Sequence, residues 1–361
     1  MYLSEGICNS LFLWRIMRKN QKSVNFILVT FLLVILMGII SLFSGSSQMT
    51  IKEALFALMG KGTPAHEKII WSIRIPRLLA AIIAGAGLSV SGLIMQTTLN
   101  NKMASPSTLG VSNGAVFGAN LSIIAFSGGF LSTGSNINNY IFGLNPYSTS
   151  FMAFIFSTAS ILLILGLCNK RGYSPDVVVL AGIGIGAIWS AATTILQFYA
   201  TDVGLSAAVV WSFGDLGRAT YKTDLIMLIV VLIGTGFFQV ASWRLNTLLS
   251  GDATARSMGV NVNILRFISL LFSSVITAVC VSFLGVIGFV GIICPHIAKK
   301  IIGQDHRYSI PLSFLTGSLL LILSDTLSRC IGNGSALPVG AVTALFGAPF
   351  FIGIIFKREG K

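Results

Sequence analysis

Apolar stretches of roughly the same length recur ten times along this chain, near positions 24–44, 76–97, 108–126, 149–168, 177–199, 223–243, 264–284, 286–302, 310–328 and 338–356. A helix needs about 20 apolar residues to cross the hydrocarbon of a bilayer, so each stretch has the length of one crossing. Charged residues make up 10% of the chain and hydrophobic ones 54%. An ordinary soluble domain is about one-quarter charged, so this chain has too few ionic groups to solvate a surface around so much apolar sequence. The expected fold is an all-α polytopic membrane protein of about ten transmembrane helices. They form a single domain from residue 24 to residue 356, between an N-terminal segment (1–23) and a short tail (357–361). The seventh and eighth stretches meet around Leu284 and Gly285, and the eighth is short, so the topology of the C-terminal part hangs on a break there.

The formal net charge of +13 does not indicate nucleic acid, because Lys and Arg stand in short clusters between apolar runs and not along one polar face. Their distribution orients the chain. Ten spans put both termini on one side, and taking that side as cytoplasmic puts 16 of the 24 Lys and Arg inside and 8 outside. The inner clusters are Lys170 with Arg171, Arg244 with Arg256 and Arg266, Lys299 with Lys300 and Arg307, and Lys357 with Arg358 and Lys361. The outer loop from Ser127 to Tyr147 has no charge. Arg15, Arg18, Lys19 and Lys22 precede the first run as in a secretory signal. That run has full spanning length and no clear small-residue cleavage site follows it, so it is expected to stay as the first span.

Cys8, Cys168, Cys280, Cys294 and Cys330 include no C-x-x-C pair, and at least three lie in or beside apolar runs, where thiols pack as small hydrophobes. Neither a disulfide nor a metal site is expected. Thr50 to Gly60 reads as a short helix with Ile51, Leu55 and Leu58 on one side, suited to lying at the outer interface. Ala81 and Gly85 in span two, and Gly182, Gly186 and Ser190 in span five, repeat at fourfold spacing. That spacing lets helix backbones approach closely in lipid, for plain bundle packing or for a mobile seam.

Charges inside a bilayer are costly, so the few present are functional candidates by default. Asp325 is read as the only carboxylate within the spans. Arg329, four residues on, shares its helical face, so the two can neutralise one another as a structural pair, or serve docking or a pathway. Ion-coupled transport usually needs carboxylates or broken helices near the midplane. No G-x-x-x-x-G-K-[ST] loop occurs, and Gly182-Ile183-Gly184-Ile185-Gly186 lies inside a span, so any ATP must be hydrolysed by a partner. His66, His296 and His306 form no H-E-x-x-H, and there is no G-x-S-x-G turn, so no catalytic constellation is assigned.

Polar motifs between the runs add what hydropathy cannot. Arg74-Ile75-Pro76-Arg77 opens span two, followed by Leu88-Ser89-Val90-Ser91-Gly92, Gln96, Asn100-Asn101-Lys102-Met103-Ala104-Ser105-Pro106 and Leu109-Gly110-Val111-Ser112-Asn113-Gly114-Ala115. Then come Leu180-Ala181-Gly182, Trp211 with Gly214, Leu245-Asn246 with Gly251-Asp252, Ala255 and Met258-Gly259-Val260, and Gly288-Phe289-Val290-Gly291 leading to Pro295-His296. Asp305-His306-Arg307, Pro311, Asp325, Arg329 and Pro338-Val339-Gly340 through Gly347-Ala348-Pro349-Phe350-Phe351 end the series. This collinear order, over residues 50 to 356, resembles the iron-siderophore, haem and cobalamin permease family of ATP-binding cassette importers.

The resemblance implies ten helices per subunit in a homodimer or paralogous heterodimer, two cytoplasmic ATP-binding subunits, and an external substrate-binding protein. It also implies a bacterial or archaeal cytoplasmic membrane and no cofactor bound by this chain. Carried over position by position, Arg74, Arg77 and Arg329 resemble the docking arginines for binding-protein carboxylates, a task suited to a guanidinium fork. The 245–260 segment looks like the family's ATPase-coupling element, with Leu245, Asn246, Gly251, Asp252, Ala255, Arg256 and Gly259 matching. Ser174, Pro175, Asp176, Gly182 and Gly186 fall at the implied gate and pathway. Pro175 and Asp176 depart from the small hydroxyl residues of the family there, and Ala336 stands where a glutamate is usual. Iron-siderophore chelates are the expected cargo, with haem and cobalamin as alternatives and an ion-coupled secondary transporter as the competing class.

Overall fold

The computed structural model describes residues 2–45, 49–127, 146–169, 173–331 and 336–356, with side chains among these from residue 21 to residue 353. The basic pair Lys170 and Arg171, most of the uncharged loop, and the tail with Lys357, Arg358 and Lys361 fall outside the described residues, as do the side chains of Arg15, Arg18 and Lys19.

Helix α1 (Tyr2–Phe43) carries the first apolar run; α2 (Ile51–Leu58) and α3 (Pro64–Lys68) are short, and a π-helical stretch (Ile69–Arg74) leads into α4 (Ile75–Thr98). Helix α5 (Val111–Asn120) is prolonged by a second π-helical stretch (Leu121–Phe126) and followed by α6 (Pro146–Cys168), α7 (Pro175–Phe198), α8 (Asp202–Ser212) and α9 (Tyr221–Val240). Two short helices, α10 (Ser242–Leu248) and α11 (Asp252–Ser257), precede α12 (Val262–Leu284), α13 (Val290–Ile302), α14 (His306–Ile331) and α15 (Val339–Phe356). Among the described residues, seven helices are long and apolar enough to cross a membrane: the Gln21–Phe43 part of α1, Pro64–Thr98, α6, α7, α9, α12 and α14. The third, eighth and tenth expected spans are the shorter apolar helices α5 with its extension, α13 and α15. Helix α8 lies in what the sequence reads as a loop.

The break expected at Gly285 is real and longer than the sequence suggests. Helix α12 stops at Gly285, whose φ of 79° a side chain resists, and Phe289 is also left-handed at 65° before α13 begins. Thirteen residues of α13 span about 20 Å at 1.5 Å per residue, short of a 30 Å hydrocarbon core. The intervening non-helical backbone is buried at Gly285 and Ile287 and half-buried at Val286, Gly288 and Phe289, shielded by protein as non-helical chain at membrane depth must be. Asp215 donates its N–H to Leu284 O at 2.8 Å, and Cβ atoms on Gly214 or Gly340 would collide with Val286 O.

Helix α4 is the centre of the bundle, packed by α14, α12, α13 and α9, with nearly every residue from Ala80 onward buried. Its small residues are what permit this. A Cβ on Gly85 would overlap the Gly317 carbonyl, and one on Gly92 the Gly291 carbonyl, so backbone meets backbone at both crossings. Helix α2 forms where the sequence places a short helix: Thr50 and Glu53 make a capping box, Ala54 and Ala57 are buried, and Ile51, Leu55 and Leu58 face outward.

Candidate functional site

The two ends of the bundle each bury arginine against aspartate. At the first, the Arg77 end, Asp325 is 1% exposed and takes two guanidinium groups. Arg77 Nε donates to Oδ1 at 2.7 Å and Arg329 Nε to Oδ2 at 3.0 Å, the second along one turn of α14. Arg329 also donates to the carbonyls of Ser41 and Ser44 at 3.2 and 2.8 Å and to Ser41 Oγ at 2.6 Å, tying the last turn of α1 to α14. Arg74 donates to Leu42 O, and Arg77 Nη2 lies 3.6 Å from the half-exposed Asp215 carboxylate. One carboxylate thus neutralises groups from two helices and fastens the end of a third, as a buried charge requires. Arg74 and Arg77 are only 6% and 8% exposed in the isolated chain. Exposed cations at this end are Lys52, Lys61, Lys68 and Lys222.

At the opposite end, the Arg266 end, α10 and α11 lie across the termini of α4, α12 and α14. Leu245 and Ala255 are fully buried and anchor the segment, while Arg256 and the apolar Leu249 and Met258 face out. Gly251 (φ 97°) and Gly259 (φ 80°) bound α11 in conformations that favour glycine. Asn246 Oδ1 accepts from the His306 backbone N–H at 2.9 Å and lies 2.7 Å from His306 Nδ1, and its Nδ2 donates to Asp305 Oδ1 at 2.8 Å. The amide oxygen accepts only, so Nδ1 carries the ring proton, and Nε2 meets Thr97 Oγ1 at 2.9 Å. Gln96 bridges α4 to α13, donating to Gly291 O and Ile292 O at 3.3 Å and accepting from Lys299 Nζ at 3.2 Å.

Asp252 does not face an open surface alone. Arg266 Nη2 binds both its oxygens, at 2.9 and 3.2 Å, and the same guanidinium donates through Nε to Thr98 O at 2.8 Å and through Nη1 to Tyr173 O at 3.2 Å. Ser174, Pro175 and Asp176 follow directly and begin α7, with Asp176 exposed. Pro175 and Asp176, but not Ser174, line a cleft of 680 Å³ together with Asn101, Lys102 and Leu180. Gly182 and Gly186 do not line it: they turn to the packed side of α7, where a Cβ on Gly182 would come within 2.9 Å of Leu109 Cα and Asn113 Nδ2 donates to Gly186 O at 3.0 Å. The open face of α7 carries Leu180, Ile183, Ile188 and Ile195, each more than half exposed, and Gly184, with nothing near it.

Two buried charged groups lie beyond those the sequence singles out. Asp224 is a second carboxylate within the spans, inside the sixth expected stretch, 3% exposed and with neither oxygen hydrogen-bonded among the described residues, which corrects the reading of Asp325 as the only one. Arg266, which the sequence groups with Arg244 and Arg256, is 3% exposed inside the seventh stretch. A charge within an apolar run was the available signal in both cases.

A sequence profile described as the FecCD transport family matches residues 32–357. A protein of Methanocaldococcus jannaschii, provisionally named an ABC transporter permease, is 41% identical over 94% of this chain and 96% of its own length. The iron(3+)-hydroxamate import system permease protein FhuG of Bacillus subtilis is 32% identical over 94% of this chain and 99% of its own. Among solved structures, one described as an inward-facing conformation of a metal-chelate type ABC transporter superposes with a TM-score of 0.78 at 25% identity, covering 93% of this chain and 99% of that one. The profile, the permease relatives and the shared all-helical fold converge: this chain belongs to the FecCD transport family, the membrane-spanning permeases of metal-chelate type ATP-binding cassette importers.

Proposed function

We propose that the chain passes an iron-siderophore-type chelate through a cytoplasmic membrane, with both its termini in the cytoplasm and the Arg77 end outside. A second permease chain, the same or a paralogue, covers the open face of α7. Two ATP-binding subunits rest on α10 and α11, and an external binding protein delivers the cargo at the Arg77 end. The observation that carries the reading is the segment 245–260: Leu245 and Ala255 fix it to the core, yet Leu249, Arg256 and Met258 are left exposed at the end of the bundle. Such a surface suits a protein partner. Docking at the other end runs through Arg74, Arg77 and Arg329, whose burial in the isolated chain makes exposed Lys61 and Lys68 their natural reinforcement.

The test is uptake of labelled ferric hydroxamate, haem and cobalamin into vesicles that hold this chain with its neighbouring ATPase and binding protein. ATP-dependent uptake of the ferric chelate alone supports the full proposal; preference for haem or cobalamin replaces the cargo and keeps the importer. Uptake driven by an ion gradient without the ATPase overturns it, and would turn attention to the unpartnered Asp224 carboxylate.

A further inference from the structure

Arg266 is the one guanidinium among the described residues whose hydrogen bonds reach three separate structural units at the inner end. Its planar fork spans the carboxylate of Asp252 on α11, the last carbonyl of α4 at Thr98, and the carbonyl of Tyr173 in the turn that opens α7. Two of these partners belong to the bundle and one to the short segment that the proposed ATPase contacts. Asp252 has a side chain 44% exposed, whereas Arg266 has 4%. The carboxylate can therefore be displaced from outside while the guanidinium stays enclosed.

The third partner is under strain. Tyr173 has a φ of 55°, a left-handed conformation that a bulky side chain adopts only when its surroundings hold it. The described contacts that hold it are the Arg266 bond to its carbonyl, its ring against Phe267 at 5.6 Å between centroids, its hydroxyl donating to Asn169 Oδ1 at 3.1 Å, and its N–H donating to Cys168 O at 3.3 Å. Phe267 is the next residue on α12, so that helix holds the strained turn from one side while the end of α6 holds it from the other. Loosening Arg266 releases the α12 side of the constraint, immediately before Pro175 and Asp176 at the edge of the cleft.

We propose that Arg266 is a positioning residue that transmits movement of the 245–260 segment to the turn at Tyr173–Asp176, making Asp252, Arg266 and Tyr173 a link between ATPase and gate. The parallel contact of Asn246 with His306 and Thr97 anchors the same segment to the neighbouring residue of α4 but does not touch the turn, so it secures the segment without driving the gate. The inference rests on the ATPase binding the 245–260 segment.

The test uses the full permease–ATPase complex in vesicles, with Asp176→Cys as a reporter of gate exposure. Its alkylation by a polar maleimide is measured with and without ATP, and the background from native cysteines is read from the parent chain. A difference between nucleotide states is expected in the reporter chain. Arg266→Lys keeps a cation for Asp252 but cannot reach all three partners, and Asp252→Asn keeps the shape but drops the charge. Either is expected to collapse the difference by roughly fivefold or more, the range of ordinary coupling free energies, while thermal stability holds; in Arg266→Lys, enclosed away from the ATPase surface, hydrolysis holds as well. Thr97→Val should leave the difference in place. A full nucleotide-dependent difference in both variants overturns the inference, as does parallel loss of hydrolysis, gate response and stability, which would mark Arg266 as merely structural. Arg256→Glu separates the underlying assumption: if it leaves ATPase copurification intact, or the unmodified chain retains no ATPase, the coupling segment is misassigned and this inference goes with it.

Discussion

The Arg77 and Arg266 ends use the same chemistry, buried guanidinium groups shared between an aspartate and backbone carbonyls, in opposite settings. At the Arg77 end the hub is the carboxylate: Asp325 is 1% exposed, and its two arginines come from α4 and α14. At the Arg266 end the hub is the guanidinium, and its carboxylate partner sits half exposed on a helix of six residues. A buried ion pair between two long helices can only fasten them. One whose outer member rides on a short surface helix can carry a displacement inward. What separates structure from transmission is which partner is free to move, and neither the residue types nor the distances reveal it.

The strongest way to break this contrast is to neutralise each aspartate in turn. Asp325→Ala leaves Arg77 and Arg329 enclosed without their carboxylate, a change that typically costs about 3–5 kcal/mol. Thermal unfolding in detergent should drop sharply, or folded protein should disappear from membranes. Asp252→Asn keeps an amide oxygen for Arg266 Nη2 at a side chain 44% exposed to solvent, so its stability cost should be well below that of Asp325→Ala. Comparable losses from the two would mean that both ends are fasteners.

Hydropathy was enough to place ten helices in order, because the period and length of apolar runs are set by the bilayer and not by any partner. Where it misplaced the start of a span, the cause was backbone. The eighth span begins at Val290 because Gly285 and Phe289 take left-handed conformations, and nothing in an apolar run announces that. The short helix at Thr50 was legible because its cap is written in local sequence. The Asp325–Arg329 pair was legible for a similar reason, being one helical turn apart. Arg77 and Arg266 were not, since their partners lie 248 and 14 residues away in sequence and only folding brings them together. The glycines of span five were foreseen as close-packing residues, but their direction was not: Gly182 and Gly186 face α5, whereas Gly184 faces outward.

Those glycines sharpen the comparison at the next level of effect. Gly85→Ala puts a methyl group into the Gly317 carbonyl at the crossing of α4 and α14, overpacking that typically costs about 1–3 kcal/mol. Gly184→Ala meets nothing in the isolated chain, so its melting temperature should be unchanged or slightly raised. If α7 is covered by a second permease chain, the same substitution should weaken cysteine cross-linking between copies. A stable chain with undiminished cross-linking would place the subunit contact elsewhere. Smaller again is the expected effect of Lys61→Glu with Lys68→Glu: folding should be untouched, while binding-protein association slows several-fold and loses its salt dependence, as surface charge acts mainly on the encounter rate. An unchanged rate would return the docking role wholly to the buried arginines.

The faintest effect belongs to α2, outside the crossing helices. Glu53 accepts hydrogen bonds from the Thr50 backbone N–H and hydroxyl, both at 2.8 Å, and the backbone bond is the main cause holding its carboxyl below the usual glutamate range. A carboxyl with a depressed folded-state pKa adds stability above the ordinary glutamate range and loses it as pH falls through the lowered folded value. Amide protection in the first turn of α2 should therefore fall on acidification through that window, and only there. In Glu53→Gln the step should be absent, because nothing titrates. A step that persists in the glutamine variant would assign the acid sensitivity to another group. A step that spreads into α4 or α14 would show that the cap at this end is coupled to the Asp325 cluster, so that the Arg77 end is not a passive fastener.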